Sequence, residues 1–63
     1  MKVKKYSGEL VDFEEDKLRH SLYKSGASAE TVDGIIAAIR PRLYDGIHTK
    51  DLYQLAFSQL RRR

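Results

Sequence analysis

Sixty-three residues, 41% hydrophobic and 33% charged, make one small globular domain; a second core, a deep catalytic cleft or a full Rossmann sheet will not fit. The chain has no cysteine, so neither a disulfide nor a zinc knuckle can staple it, and stability must come from helix and strand packing or from a partner. The net charge of +3 disappears when the three charges of Arg61, Arg62 and Arg63 are taken away, so the cationic excess sits at one chain end and gives little support to a nucleic-acid-binding face.

In chain order, Val3-Lys4-Lys5-Tyr6 and Glu9-Leu10-Val11-Asp12-Phe13 read as a β-hairpin. Ser7-Gly8 is its expected two-residue turn, with Gly8 supplying the positive φ. Val3 with Lys5, and Leu10 with Asp12, alternate with the period of a strand. Two strands alone are marginal in water, so this hairpin must lean on helices. The first helix is predicted from Glu14 to Ser25. Leu18, Leu22 and Ser25 fall on one stripe, with Ser21 beside it, and Glu14, Glu15 and Asp16 suit the first turn, where the helix dipole favours acids. Gly26 is its stop.

Ser28 is the expected N-cap of a second helix. Its stripe of Val32, Ile35, Ile36, Ile39 and Leu43 is the strongest in the sequence. Pro41 lies inside that pattern, removes a backbone donor and clashes with the preceding turn, which predicts a kink or break near Ile39 to Arg40. Gly46 is expected to end this helix and Thr49 to cap a third, which turns Leu52, Tyr53, Ala56, Phe57 and Leu60 inward. No apolar run approaches the ~20 residues of a membrane span. Met1-Lys2-Val3-Lys4-Lys5 lacks the apolar core of a signal peptide. These features read as a cytoplasmic domain with no membrane partner.

No catalytic constellation is visible. His20 and His48 lie on different elements, with no carboxylate spaced to serve them, and read as ordinary surface or capping residues. Tyr44-Asp45-Gly46 lacks the alternating acids of a calcium loop. An enzyme in its own right is rejected on size and on this missing chemistry, and no metal ligands are assigned. What stands out is a lysine-bearing hairpin followed at once by a helix start. Lys4 and Lys5 precede the Gly8 turn, and Lys17 sits near the third helical position. Helix starts near Glu14 and Thr49 offer unpaired backbone N–H groups, and such ends with lysine nearby suit phosphate. The same lysines also serve to solvate an edge strand against unwanted pairing. Spacing alone leaves both readings open.

Two motifs carry a resemblance. The first is Val3-Lys4-Lys5-Tyr6-Ser7-Gly8-Glu9-Leu10-Val11-Asp12-Phe13, continuing through Glu14-Glu15-Asp16 to Lys17-Leu18. The second is Leu43-Tyr44-Asp45-Gly46-Ile47-His48-Thr49-Lys50-Asp51-Leu52. Together, and in this order, they resemble the ATP-cone, the nucleotide-sensing module at the N-terminus of ribonucleotide reductase large subunits and in the bacterial repressor of reductase genes. The resemblance implies an α+β, mostly helical fold: an N-terminal β-hairpin cap packed on a three-helix bundle, truncated from the family's four. It implies one domain over residues 1–63, with the hairpin at 1–13, helices at 14–61 and a basic tail at 61–63, cut from a longer protein.

The function implied is a regulatory domain that senses an adenine nucleotide, ATP or dATP, with magnesium able to accompany the phosphates. Carried over by position, Val3 helps place the base. Lys5 contacts phosphate, with Lys4 as a neighbour able to substitute for it. Lys17 and Thr49 also reach phosphate, and Leu18 packs against the adenine. Four positions depart from the family pattern. Tyr6 replaces an arginine and cannot make its charged bidentate contact. Val11 replaces a polar reader of adenine, Glu14 an asparagine or aspartate, and Tyr53 a histidine.

The runs Lys-x-Ser-Gly-Glu, Lys-Leu-Arg-x-Ser-Leu and Gly-Ile-x-Thr-x-x-Leu-Tyr are similar to cones fused upstream of restriction-endonuclease-like nucleases. The partner they imply is an attached catalytic domain, with Gln59-Leu60-Arg61-Arg62-Arg63 as the linker toward it. Two alternatives remain. One is a degenerate cone that pairs as a homodimer through Ile35, Ile39, Leu52 and Phe57. The other is a nucleic-acid accessory domain using Lys2, Lys4, Lys5 and the arginine tail, which ranks last.

Overall fold

The computed structural model describes residues 1–62. Within them the order is β1 (Lys2–Lys4), β2 (Leu10–Asp12), α1 (Glu15–Lys24), α2 (Ala29–Ile39), a 3₁₀ turn (Arg40–Arg42), β3 (Ile47–His48) and α3 (Thr49–Arg61). The architecture is α+β and mainly helical, with a small three-stranded sheet in place of a bare hairpin. β1 is central. It pairs antiparallel with β2, Val3 opposite Val11, and parallel with β3, Val3 opposite Ile47.

The hairpin loop holds one residue more than the sequence suggests. Lys5 N–H donates to the Glu9 carbonyl at 2.8 Å, and Gly8 N–H donates to the Lys5 carbonyl at 2.8 Å. Tyr6, Ser7 and Gly8 therefore form a three-residue loop, a turn followed by a bulge residue with positive φ. Gly8 fills that place at φ +92°.

α1 starts at Glu15 and ends at Lys24, one residue inside the predicted span at each end. Leu18 and Leu22 are buried as expected. Ser25 is not on the stripe; it is the C-cap, and its hydroxyl donates to the Ser21 carbonyl at 3.1 Å. α2 begins as read, with the Ser28 side chain accepting from Thr31 N–H at 3.2 Å. Val32, Ile35, Ile36 and Ile39 all go inside. The break falls where Pro41 puts it, for α2 stops at Ile39 and the chain tightens into the 3₁₀ turn. Leu43 therefore belongs to no helix. It is half-buried against the core from an extended segment.

The core draws on every layer: Val3 and Ile47 from the sheet, Leu18 and Leu22 from α1, the α2 stripe, and Leu52 and Ala56 from α3. No polar side chain is buried among the described residues. Of the four residues expected to form a dimer face, Ile35, Ile39 and Leu52 are each 1% exposed or less, so one copy of the chain already covers them, and Phe57 is half-buried. An ion-pair knot joins the helices. Arg19 Nε binds Glu15 at 2.9 Å, Arg19 Nη1 binds Asp33 at 2.6 Å, and Arg40 Nη2 binds Glu15 at 2.8 Å. Among the described residues no helix is long and apolar enough to cross a membrane. Of the basic tail, Arg61 and Arg62 are exposed, and Arg63 lies outside the described residues.

Candidate functional site

The segment before α3 fixes the site's frame. Gly46 does not end a helix, as the sequence suggested. It takes φ +88° in a turn closed by Ile47 N–H on the Tyr44 carbonyl at 3.1 Å, a place that a side chain would strain. The turn grips β1 twice. Asp45 accepts from the Lys2 N–H at 2.7 Å, and Gly46 N–H donates to the Lys2 carbonyl at 2.9 Å. Ile47 and His48 then run beside β1 as β3. His48, not Thr49, is the N-cap residue of α3, and it makes no side-chain cap. Thr49 is the first helical residue; its hydroxyl donates back to the Lys4 carbonyl at 3.2 Å, tying α3 to the central strand.

Between this sheet and the starts of α1 and α3 lies a cleft of about 590 Å³. That size falls within the range of small-molecule sites. Val3, Val11, Phe13 and Tyr53 give it an apolar side, and Lys2, Lys5, Asp12, Glu14, Lys17 and Thr49 a polar one. Val3 is the middle residue of β1, and Lys5 follows the strand's last residue, Lys4. Tyr53 is half-buried and stacks on Phe57, with ring centroids 6.4 Å apart.

The polar side is largely paired within the chain. Lys17 Nζ meets Glu14 at 2.9 Å, and Lys2 Nζ meets Asp12 at 2.7 Å. The hydrogen bond and charge of Glu14 raise the Lys17 pKa above its ordinary value. The hydrogen bond and charge of Lys2 lower the Asp12 carboxyl below its own. Lys5 makes no ion pair among the described residues.

Of the six residues selected from sequence, Val3, Lys5, Lys17 and Thr49 border this one cleft. Lys4 borders a neighbouring hollow of about 580 Å³ with Tyr6, His48 and Lys50, which Lys5 and Thr49 also line. Leu18 has 0% exposure and lies in the core, not on the cleft wall. The reading from sequence did not select Lys2, Val11, Asp12, Phe13, Glu14 or Tyr53 as site residues. Val11, Glu14 and Tyr53 stand out in the sequence only as departures from the family pattern; no sequence signal indicates Lys2 or Asp12.

A family model for the ATP cone domain matches residues 1–63. The chain belongs to the ATP-cone family. No curated protein and no solved structure matches it. An ATP cone is a nucleotide-sensing regulatory domain and is not itself catalytic. In this cone the cleft between sheet and helices joins an apolar wall to a lysine-bearing rim, the two chemistries a nucleotide needs.

Proposed function

We propose that this cone takes ATP or dATP into the cleft between the sheet and the starts of α1 and α3, and that occupancy regulates an attached catalytic domain. Lys5, Lys17 and Thr49 face the phosphates. Val3 lies toward the base, with Tyr53 adding the flat apolar surface that Leu18, sunk in the core, does not present. One observation carries the reading: Lys5 from the hairpin and Lys17 from α1 border the same cleft as apolar side chains of the sheet.

Magnesium would enter with the phosphates. No group of three or more His, Cys, Asp or Glu stands together among the described residues to hold an ion alone. Magnesium is commonly held by one or two carboxylates together with substrate phosphates, and Asp12 on the rim fits that donor set. The nuclease-type identity of the attached domain rests on the similarity of the Lys-x-Ser-Gly-Glu and Gly-Ile-x-Thr runs to that branch of cones.

Calorimetry with ATP and dATP, with and without magnesium, tests the site. Heat of binding is expected from the native chain, and Lys5→Gln should weaken it about tenfold through loss of a charged phosphate contact. No heat at millimolar nucleotide would refute the reading.

A further inference from the structure

We infer that Glu14 is a built-in competitor for the ligand: its carboxylate stands where a phosphate oxygen would stand on Lys17, and binding must displace it. The inference rests on the nucleotide reading above and concerns the regulation of that same cleft.

Three observations support it. Glu14 is the N-cap residue of α1, with extended backbone at φ −109° and ψ 98°, yet its side chain makes no cap hydrogen bond. Acceptors at this position ordinarily take the N–H of the second or third helical residue. Glu14 instead reaches the Lys17 ammonium at 2.9 Å, and both side chains line the cleft. Second, the pair is exposed and local, three residues apart on one helix. Such pairs are weak and cede their partner to a stronger anion. Third, Asp12 holds Lys2 in the same way at 2.7 Å, so the rim carries two internal carboxylates beside the unpaired Lys5.

An incoming polyphosphate meets Lys5 directly but reaches Lys17 only by exchanging one anion for another. It must also overcome the charge of Glu14 at close range. Glu14 thereby raises the concentration at which the cone responds.

The test is calorimetry with ATP at low ionic strength, with and without magnesium, on the native chain, Glu14→Gln, Lys17→Gln and the double variant. Glu14→Gln is expected to bind about tenfold more tightly, the effect of removing one carboxylate a few ångströms from a polyanion. In the Lys17→Gln background the gain from Glu14→Gln should shrink to about twofold or less, because the contested cation is gone. Unchanged or weaker binding by Glu14→Gln would overturn the inference while leaving the nucleotide reading intact. So would an equal gain in both backgrounds, which means general repulsion. A loss confined to magnesium-containing buffer would overturn it too, by assigning Glu14 to the counter-ion. If neither the native chain nor Glu14→Gln takes ATP at millimolar concentration, the nucleotide reading itself falls. Thermal melting of Glu14→Gln should match the native chain, since no cap bond is lost.

Discussion

Glu14 and Glu15 are adjacent, and their ion pairs are built to opposite ends. Glu15 sits in a knot whose centre is Arg19, a side chain 27% exposed that binds Glu15 through one nitrogen and Asp33 through another, while Arg40 takes the second Glu15 oxygen. A planar fork with fixed donors suits such joinery between elements. Glu14 pairs with Lys17, a side chain 77% exposed, within a single helix turn. An ammonium on a flexible stem holds one anion as readily as another. The contrast teaches that charge close to the start of α1 is divided by residue type: arginine fastens helix to helix, and lysine waits at the cleft.

The sharpest way to break this comparison is to attack what lies beneath both clusters. Leu18→Ala removes a side chain with 0% exposure. It is expected to cost about 2–5 kcal/mol. In so small a chain that should appear as a low, broad thermal transition, with ligand binding lost only because folding is lost. Normal melting with weakened ATP binding would instead give Leu18 a direct part in the site.

Arg19→Ala comes next. It should lower the melting temperature modestly, because the ion pairs it loses are part-exposed. The pH dependence of unfolding carries the same information. Hydrogen bonds and charge from Arg19, with Arg40 adding to them, hold the Glu15 carboxyl below its ordinary value. A carboxyl more acidic in the folded than in the unfolded chain contributes stability that is complete above its ordinary range and fades as pH falls through the lowered folded value. Urea melts stepped downward through that window should show the loss in the native chain and a flatter profile in Arg19→Ala. The smallest expected effect on stability is that of Lys17→Gln: melting that overlays the native curve, as for an exposed surface change. A larger loss would erase the distinction between the two clusters.

Much of the helical fold could be read before any coordinates. Val32, Ile35, Ile36 and Ile39 repeat with helical period, Ser28 caps through a local bond, and Pro41 breaks the chain by its own ring. These are effects of near neighbours. β3 escaped notice because two residues show no alternation, and its pairing with β1 joins Val3 to Ile47 across most of the chain. Leu43 fitted the α2 stripe by spacing alone, but the proline ends the helix first. At the site, Val3, Lys5, Lys17 and Thr49 were recognisable from motif positions, while Lys4 borders the adjoining hollow and Leu18 the core. In the sequence Asp12 is a strand position and Glu14 a first-turn acid that departs from the family pattern. Only the folded geometry sets them against Lys2 and Lys17.

Thr49 has a single hydroxyl hydrogen, and the carbonyl of Lys4 already receives it. Any phosphate oxygen that recruits this hydroxyl as a donor must take that hydrogen from the strand. That contact between β1 and the first residue of α3, a helix of 13 residues, would then open, while the pairing of β1 with β3 still holds the same end of the helix. One rotating O–H bond is thus the strand-to-helix contact that an arriving anion would take over for itself.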